Sequence, residues 1–329
     1  MSHIIFGVRS VPAGDSLSTA QVSTGFLKNT VLQRLGVLLP IFSVALGLGL
    51  LILDPLPMQT LRNNVFDQYQ RWYPRPYVDV PVRIVDIDEE TLARLGQWPW
   101  PRTRLAELVE RLSDAGVAAV GFDVLLAEAD RTSPNAMAKL WQLSGATLKN
   151  LNALPDHDQV LAKSMQGAEV ILGFVLQHGL AGEQKDDGIT GVDASVLAHS
   201  PFRYINAGDD PTGQLHAFNS VIPARPELEA EARGNGALNF LADSDGIVRR
   251  VPLVLSLSKQ PVPSIAAEAL RVAQGEQNYF LKAAQYGHGM SEIRIGSFRI
   301  PTTAQGEVWV HYSQPAANRY LPAWKTARR

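Results

Sequence analysis

The first sustained pattern in the chain is an unbroken apolar run. Leu35–Leu53, LGVLLPIFSVALGLGLLIL, holds 19 residues and no charge. As a helix at ~1.5 Å per residue it matches the ~30 Å hydrocarbon core of a bilayer. A soluble helix of that length shows a polar face; this one has none, and Pro40, Gly47 and Gly49 are tolerated within a membrane. The run exceeds the ~7–15 apolar residues of a cleavable signal, and no small-x-small site follows it. The expectation is one transmembrane helix over residues 31–54. Arg9, Lys28 and Arg34 precede it, Asp54 closes it, and the next basic residue is Arg62. The positive-inside rule makes residues 1–30 a cytoplasmic tail and puts residues 55–329 outside.

Beyond the run the pattern becomes that of a folded domain. Leu61, Val65, Tyr69 and Trp72 recur at helical spacing, which predicts a juxtamembrane helix ended by Pro74, Pro76 and Pro81. Val82–Ile87 reads as a strand and Glu89–Leu95 as a short helix. In Arg104–Ala115, Leu105, Leu108, Val109 and Leu112 fall on one face, and Gly116 is a natural stop. Thr103 is the expected N-cap. Val117–Leu126 is a near-continuous apolar strand, so strand, helix and strand make a right-handed βαβ unit with a parallel sheet. Asp130–Asp156 carries few signals and reads as a long insertion. Asp158–Gln166 is helical, Glu169–Leu176 is a third strand and Ala181–Ala217 is irregular. Gly236–Leu241 and Val248–Leu257 are strands joined by a turn at ADSDG. Ser264–Gln274 is a helix capped by Ser264, and EIRIGSFRI and GEVWVHY are late strands. The fold class is α/β: a mixed, mainly parallel sheet with crossover helices, preceded by a transmembrane and a juxtamembrane helix.

Composition narrows the chemistry. Of 329 residues, 46% are hydrophobic and 19% charged, which describes a folding sequence. Thirty basic and 32 acidic residues give a net charge of −2, without the clustered basic surface that nucleic acid requires. The chain has no cysteine, which removes disulfides, Cys-ligated metals and Cys nucleophiles. Seven histidines show no zinc spacing, and no phosphate-loop or nucleophile-elbow motif occurs. Neither a cofactor, a metal nor a catalytic residue is expected.

Two features remain. The segment GQWPWPRTRL, Gly96–Leu105, stiffens the backbone at Pro99 and Pro101, so Trp98 and Trp100 pack in a core or interface, or face a ligand with Arg102, or meet the membrane or a partner. Asp86, Asp88 and Asp123 lie at predicted strand ends, the edge where open α/β sheets bind ligands. They cap the next helices or pair with Arg102 or Arg104, or they hold an ion, or do acid–base work. DSDG at Asp243–Gly246 lacks the distal glutamate of a calcium loop, since that position is Val254, and reads as a turn with Arg249 and Arg250 beside it.

The same residues carry a resemblance. VRIVDIDEETLARLGQWPWPRTRLAELVERLSDAGVAAVGFDVLLAEAD, Val82–Asp130, resembles the opening of a CHASE2 domain, with its D-x-D strand end, L-G-x-W-P-W-P-R turn, helix and G-F-D strand end. NFLADSDGIVRRVPLVL (Asn239–Leu255) is similar to the family's N-x-x-x-D-x-D-G-x-x-R-x-x-P-L block, and VPSIAAEALRVA to its proline-serine helix. The likeness runs from about Leu61 to the end and is weakest over Asp130–Ser200. It implies an extracytoplasmic sensory module of a bacterial receptor in the inner membrane, single-pass here. Such modules precede further spans and a cyclase or kinase output. The family normally continues past the Y-x-P-A-W position near Arg329, so an incomplete sensory domain without its output is the expectation. Asp86, Asp88, Trp98, Trp100, Arg102 and Asp123 are the candidate ligand-binding residues. The partners expected are the membrane, an unidentified small molecule and a second copy in a homodimer. An exported carboxylate-dependent hydrolase and a dimerisation module without ligand are the alternatives.

Overall fold

A computed structural model describes residues 23–178, 203–207, 209–285 and 288–326. The chain divides into two compact units, Met1–Pro74 and Arg75–Arg329.

The first unit contains helices α1 (Ser23–Leu53) and α2 (Leu56–Trp72). Pro55 has no N–H and serves as N-cap of α2, while Asp54 takes a left-handed backbone at φ 38°. The carboxylate of Asp54 accepts both Nη groups of Arg62 at 3.0 Å, and its carbonyl accepts Gln59 Nε2 at 2.7 Å. The chain therefore bends by 80° between Leu38–Leu53 and Leu56–Trp72. Among the described residues no single helix is long and apolar enough to cross a membrane; this bent pair passes on length and composition together. The predicted helix at Leu61–Tyr73 starts a turn earlier than expected because Pro55 and Leu56 already support helix. Tyr69 and Trp72, both exposed, meet edge to face at 6.0 Å.

The second unit opens with β1 (Ile84–Asp86), α3 (Glu89–Leu95), α4 (Arg102–Asp114) and β2 (Val120–Leu125). Gly116 ends α4 at φ 73° as predicted. The predicted insertion is not irregular: it folds as α5 (Pro134–Leu140) and α6 (Gly145–Asn152), helices too short for periodicity to reveal. Next come α7 (His157–Met165) and β3 (Val170–Gln177), then β4 (Arg203–Ala207), β5 (Ala217–Phe218), β6 (Ser220–Ile222), α8 (Pro226–Glu229) and β7 (Gly234–Ala237). Most of the segment predicted irregular, Ala181–Ala217, lies outside the described residues; its described end holds β4 and a 3₁₀ turn at Pro211–Gln214. The remainder is β8 (Arg250–Pro252), β9 (Val254–Leu257), β10 (Gln260–Pro263), α9 (Ile265–Ala273), β11 (Asn278–Ala283), β12 (Met290–Ile295), β13 (Phe298–Pro301), β14 (Glu307–Trp309), β15 (Tyr320–Pro322) and α10 (Ala323–Thr326).

The fold is mixed α/β, built on several small sheets. β2, β3 and β7 pair in parallel, and β6 joins β3 antiparallel. β11 pairs in parallel with β4 and antiparallel with β12, which carries β13. β10–β9–β5 and β14–β8 complete the set. Two expectations fail here. β1 is not paired with β2: it pairs in parallel with β15, so the first βαβ unit does not share one hydrogen-bonded sheet, and the parallel crossover is the one from β2 to β3. The predicted strand Val248–Leu257 is also two strands. It changes partner at Leu253, whose N–H still goes to Gly306 O beside β14 at 2.9 Å while its carbonyl accepts the Ser264 N–H from the end of β10 at 2.9 Å.

Helix α4 buries Leu105, Ala106 and Val109 against Leu161, Ala162 and Met165 of α7, over Val170 and Leu172 of β3. On the other side α9 lies directly on β7. Ser264 caps α9, accepting Ala267 N–H at 3.4 Å, and bridges to Ala237. A Cβ at Gly236 would fall 2.6 Å from Ile265 N, against backbone that cannot turn away. Gly236→Ala is therefore expected to destabilise the domain by about 1–3 kcal/mol, the range for overpacking. Gly121→Ala, whose added methyl meets the Ile265 side chain at ordinary contact distances of 3.8 and 3.9 Å, leaves stability near wild type. Urea unfolding of the two variants measures the difference, and equal midpoints would contradict this packing.

Candidate functional site

The Trp-Pro turn is built from its own backbone outward. The indole N–H of Trp100 donates to Gly96 O at 2.8 Å, and the ring is buried, at 4% exposure, in the core between α4 and α7. Trp98 meets it edge to face at 5.8 Å but stays 36% exposed. The Trp98–Pro99 peptide is cis. The Arg104 guanidinium stands 6.0 Å over the Trp100 ring.

Thr103 does not cap α4. Pro101 occupies the N-cap and has no side-chain donor or acceptor to offer, so the cap comes from far along the chain. Asp130 Oδ2 accepts the Arg102 N–H at 2.7 Å, a carboxylate at the positive end of the helix. Asp130 Oδ1 accepts Thr132 N–H at 2.7 Å and its hydroxyl at 2.8 Å. His157 Nδ1 lies 3.2 Å from Asp130 Oδ2 and 3.2 Å from Thr132 Oγ1, and the His157 N–H donates to Ser133 Oγ at 3.0 Å. Behind this, Asp158 accepts Arg102 Nε at 3.3 Å and Asp130 N–H at 2.8 Å, with Arg225 Nε at 3.7 Å. Arg102 Nη2 reaches Glu128 O at 3.3 Å. Burial works to raise the Asp130 carboxyl, but the bonds from Arg102, Thr132 and His157 prevail and hold it below its usual range.

The candidate residues thus divide. Trp98, Trp100 and Arg102 belong to one construction. Asp86 stands at the end of β1 opposite Pro322. Asp88 caps α3, accepting Thr91 N–H at 2.8 Å, and Thr91 holds its carboxyl low. Asp123 lies inside β2 with its residue exposed. The three carboxylates do not line one hydrogen-bonded sheet edge, and Arg102 pairs with Asp158 instead of Asp86 or Asp88. Among the described residues no group of three His, Asp or Glu is arranged to hold a metal. Asp130, His157, Asp158 and Arg225 were not singled out from sequence. The signal was local, in Asp-x-Thr-Ser at 130–133 and Asp-His-Asp at 156–158, two capping sequences that share one knot.

The turn at Asp243–Gly246 forms a second knot and pairs as its spacing predicts. Arg249, almost wholly buried, bonds Asp243 Oδ2 at 2.8 Å and Asp245 Oδ2 at 2.7 Å. Arg250 joins Asp243 at 2.7 Å to Glu307 at 3.3 Å, and His216 Nε2 lies 2.9 Å from Glu307 Oε1. Hydrogen bonds from Arg249, offset in part by burial, lower Asp245 to about 2. Glu229 on α8 behaves oppositely. Its Oε1 has no hydrogen-bond partner among the described residues, and burial pushes its carboxyl up to about 7, a backbone bond at Ala224 resisting.

A mixed α/β domain whose Trp-Pro turn is locked into its core by an ion-pair knot, with a second knot at Asp-x-Asp-Gly, defines the class of this protein. The family model of the CHASE2 domain matches residues 41–328, most of the chain, and the chain belongs to that family. CHASE2 is an extracytoplasmic sensory domain. No curated protein and no solved structure matches the chain.

Two outcomes follow from the charges. Arg102→Ala removes the nearer of the two cations on buried Asp158, leaving Arg225 Nε at 3.7 Å, and is expected to cost about 2 kcal/mol in urea unfolding at neutral pH. A cost near zero would show that the knot is not formed. Glu229 has a folded value near 7 above an ordinary 4.5. Its contribution to stability is therefore complete below about pH 4.5 and is lost as pH rises through 7, roughly 3 kcal/mol at most. Glu229→Gln should flatten the stability profile between pH 5 and 8; an unchanged slope would mean that Glu229 is ionised throughout.

Proposed function

We propose that the chain is the extracytoplasmic sensory part of a bacterial membrane receptor, tethered through its N-terminal apolar helix, and that it registers a small ligand or partner through the Trp98–Arg102 turn. The family match carries this reading. The side chains of α1 support it: Leu39, Phe42, Leu46, Leu51 and Ile52, spread around the helix, are all exposed within their own unit. A helix apolar on every side needs a lipid or protein environment. The charges of Arg9, Lys28 and Arg34 then favour the N-terminus inside.

Within the domain, the turn has the right construction for a sensing element. Trp98 offers an exposed aromatic face, while four residues later Arg102 is fixed in the Asp130–Asp158 knot. A ligand against Trp98 would thus act on a segment rigidly joined to α4 and α7. To signal, it must bind one arrangement of the domain more tightly than another. Asp86, Asp88 and Asp123 stand outside the core of this reading, since β1 pairs with β15 and not with β2.

Alkaline phosphatase and green fluorescent protein fused after Pro74 test the orientation. Active phosphatase with a dark fluorescent protein is expected. Fluorescent fusions with inactive phosphatase, or release of the full chain from vesicles by carbonate, would overturn the reading.

A further inference from the structure

The α5–α6 hairpin rises from the first knot. At its root, Pro134 and Ala138 are buried and Ser133 Oγ holds the His157 N–H at 3.0 Å. At its far end the chain turns tightly, with Gln142 at φ 51° and Gly145 at φ 62°. There Leu140 is 71% exposed and Trp141 is 60% exposed. The charges are one-sided. Residues 131–155 contain Arg131, Lys139 and Lys149 and no Asp or Glu, in a chain whose net charge is −2.

We propose that this hairpin tip docks on an anionic lipid surface, with Leu140 and Trp141 seated at the headgroup level and Lys139 and Lys149 facing lipid phosphates. An exposed indole beside an aliphatic chain and lysines is the combination that partitions into a bilayer interface. Uniform positive charge favours a negatively charged leaflet. A second copy of this chain fits less well, because an isologous contact at this tip would bring like charges together. The inference rests on the tethered reading above, which keeps a lipid surface at high effective concentration around the domain.

The absence of cysteine allows a direct test. Ser144, at the tip, makes no capping hydrogen bond and is exposed. The full chain bearing Ser144→Cys, labelled with a polarity-sensitive fluorophore, is placed in nanodiscs of phosphatidylcholine with and without phosphatidylglycerol. A label at Gln277→Cys, on an exposed loop elsewhere, is the control. Brominated lipid should quench the label at 144 and not at 277. The quenching should fall about threefold without the anionic lipid and in the Leu140→Glu/Trp141→Glu variant. No quenching at 144 overturns the proposal. A blue shift that ignores brominated lipid but grows with the number of chains per disc also overturns it, and assigns the tip to self-association. Carbonate extraction of the same preparations reports on the tether independently. Chain retained without quenching removes the docking alone. Chain released by carbonate removes the tether, and quenching by added anionic vesicles then still decides the tip.

Discussion

The close seat of α9 on β7 is the contact on which the arrangement of the second unit depends. Without a side chain at Gly236 the helix backbone reaches the strand backbone, without one at Gly234 there is room for the Glu268 carboxylate, and Ser264 joins helix and strand as both cap and bridge. That approach carries Glu268 to full burial, where it pairs with Arg271 at 2.6 Å and takes the Tyr279 hydroxyl. Tyr279 belongs to β11 and stacks on Tyr204 of β4 at 5.0 Å. One helix thereby ties the parallel β2–β3–β7 sheet to the sheet of β4, β11, β12 and β13. A buried carboxylate is stable there only because its cation is on the same helix, three residues on, and arrives with it.

The Arg102 knot performs the same task on the opposite face. It joins the start of α4, the loop after β2, the start of α7 and the segment before α8 through two carboxylates. Helix starts are electrically positive and have free N–H groups, so carboxylates gather there without a specific fold-wide pattern. What makes the site unusual is that each carboxylate serves two elements at once. Asp130 caps α4 while ordering its own turn, and Asp158 begins α7 while holding the Asp130 backbone.

Local rules made much of this legible. The bounds of α3, the stop at Gly116, the Ser264 cap, the turn at Asp243–Gly246 and its arginine pairing are decided within a few residues, and the structure has them as read. The failures are of two kinds. Some features are decided by distant chain: the α4 cap is supplied from 28 residues away, and β1 finds β15 and not β2. Others are decided by length: α5 and α6, at seven and eight residues, are too short to establish a period. Of the candidate residues, the Trp-Pro-Arg group was coherent because its stiffness is written in adjacent prolines. The three aspartates were grouped on an assumed sheet, and the grouping dissolved with the strand pairing.

The closed knots constrain how such a domain could respond to a ligand. Separating Glu268 from Arg271 leaves a buried carboxylate without its cation, at about 3–5 kcal/mol, and separating Arg102 from Asp158 leaves that carboxylate only the more distant Arg225 Nε at 3.7 Å. A ligand of micromolar affinity releases about 8 kcal/mol in total, so breaking one knot would consume a large part of it. Moving α4, α7 and the Trp-Pro turn together, with their charges still paired, costs far less. Glu229 does not share this constraint. With no partner for Oε1 among the described residues, it lowers its burial cost by keeping a proton, so its state follows the surrounding pH while the knots stay closed. Rigid-body displacement of the knotted elements is accordingly the response this packing favours over local rearrangement within them.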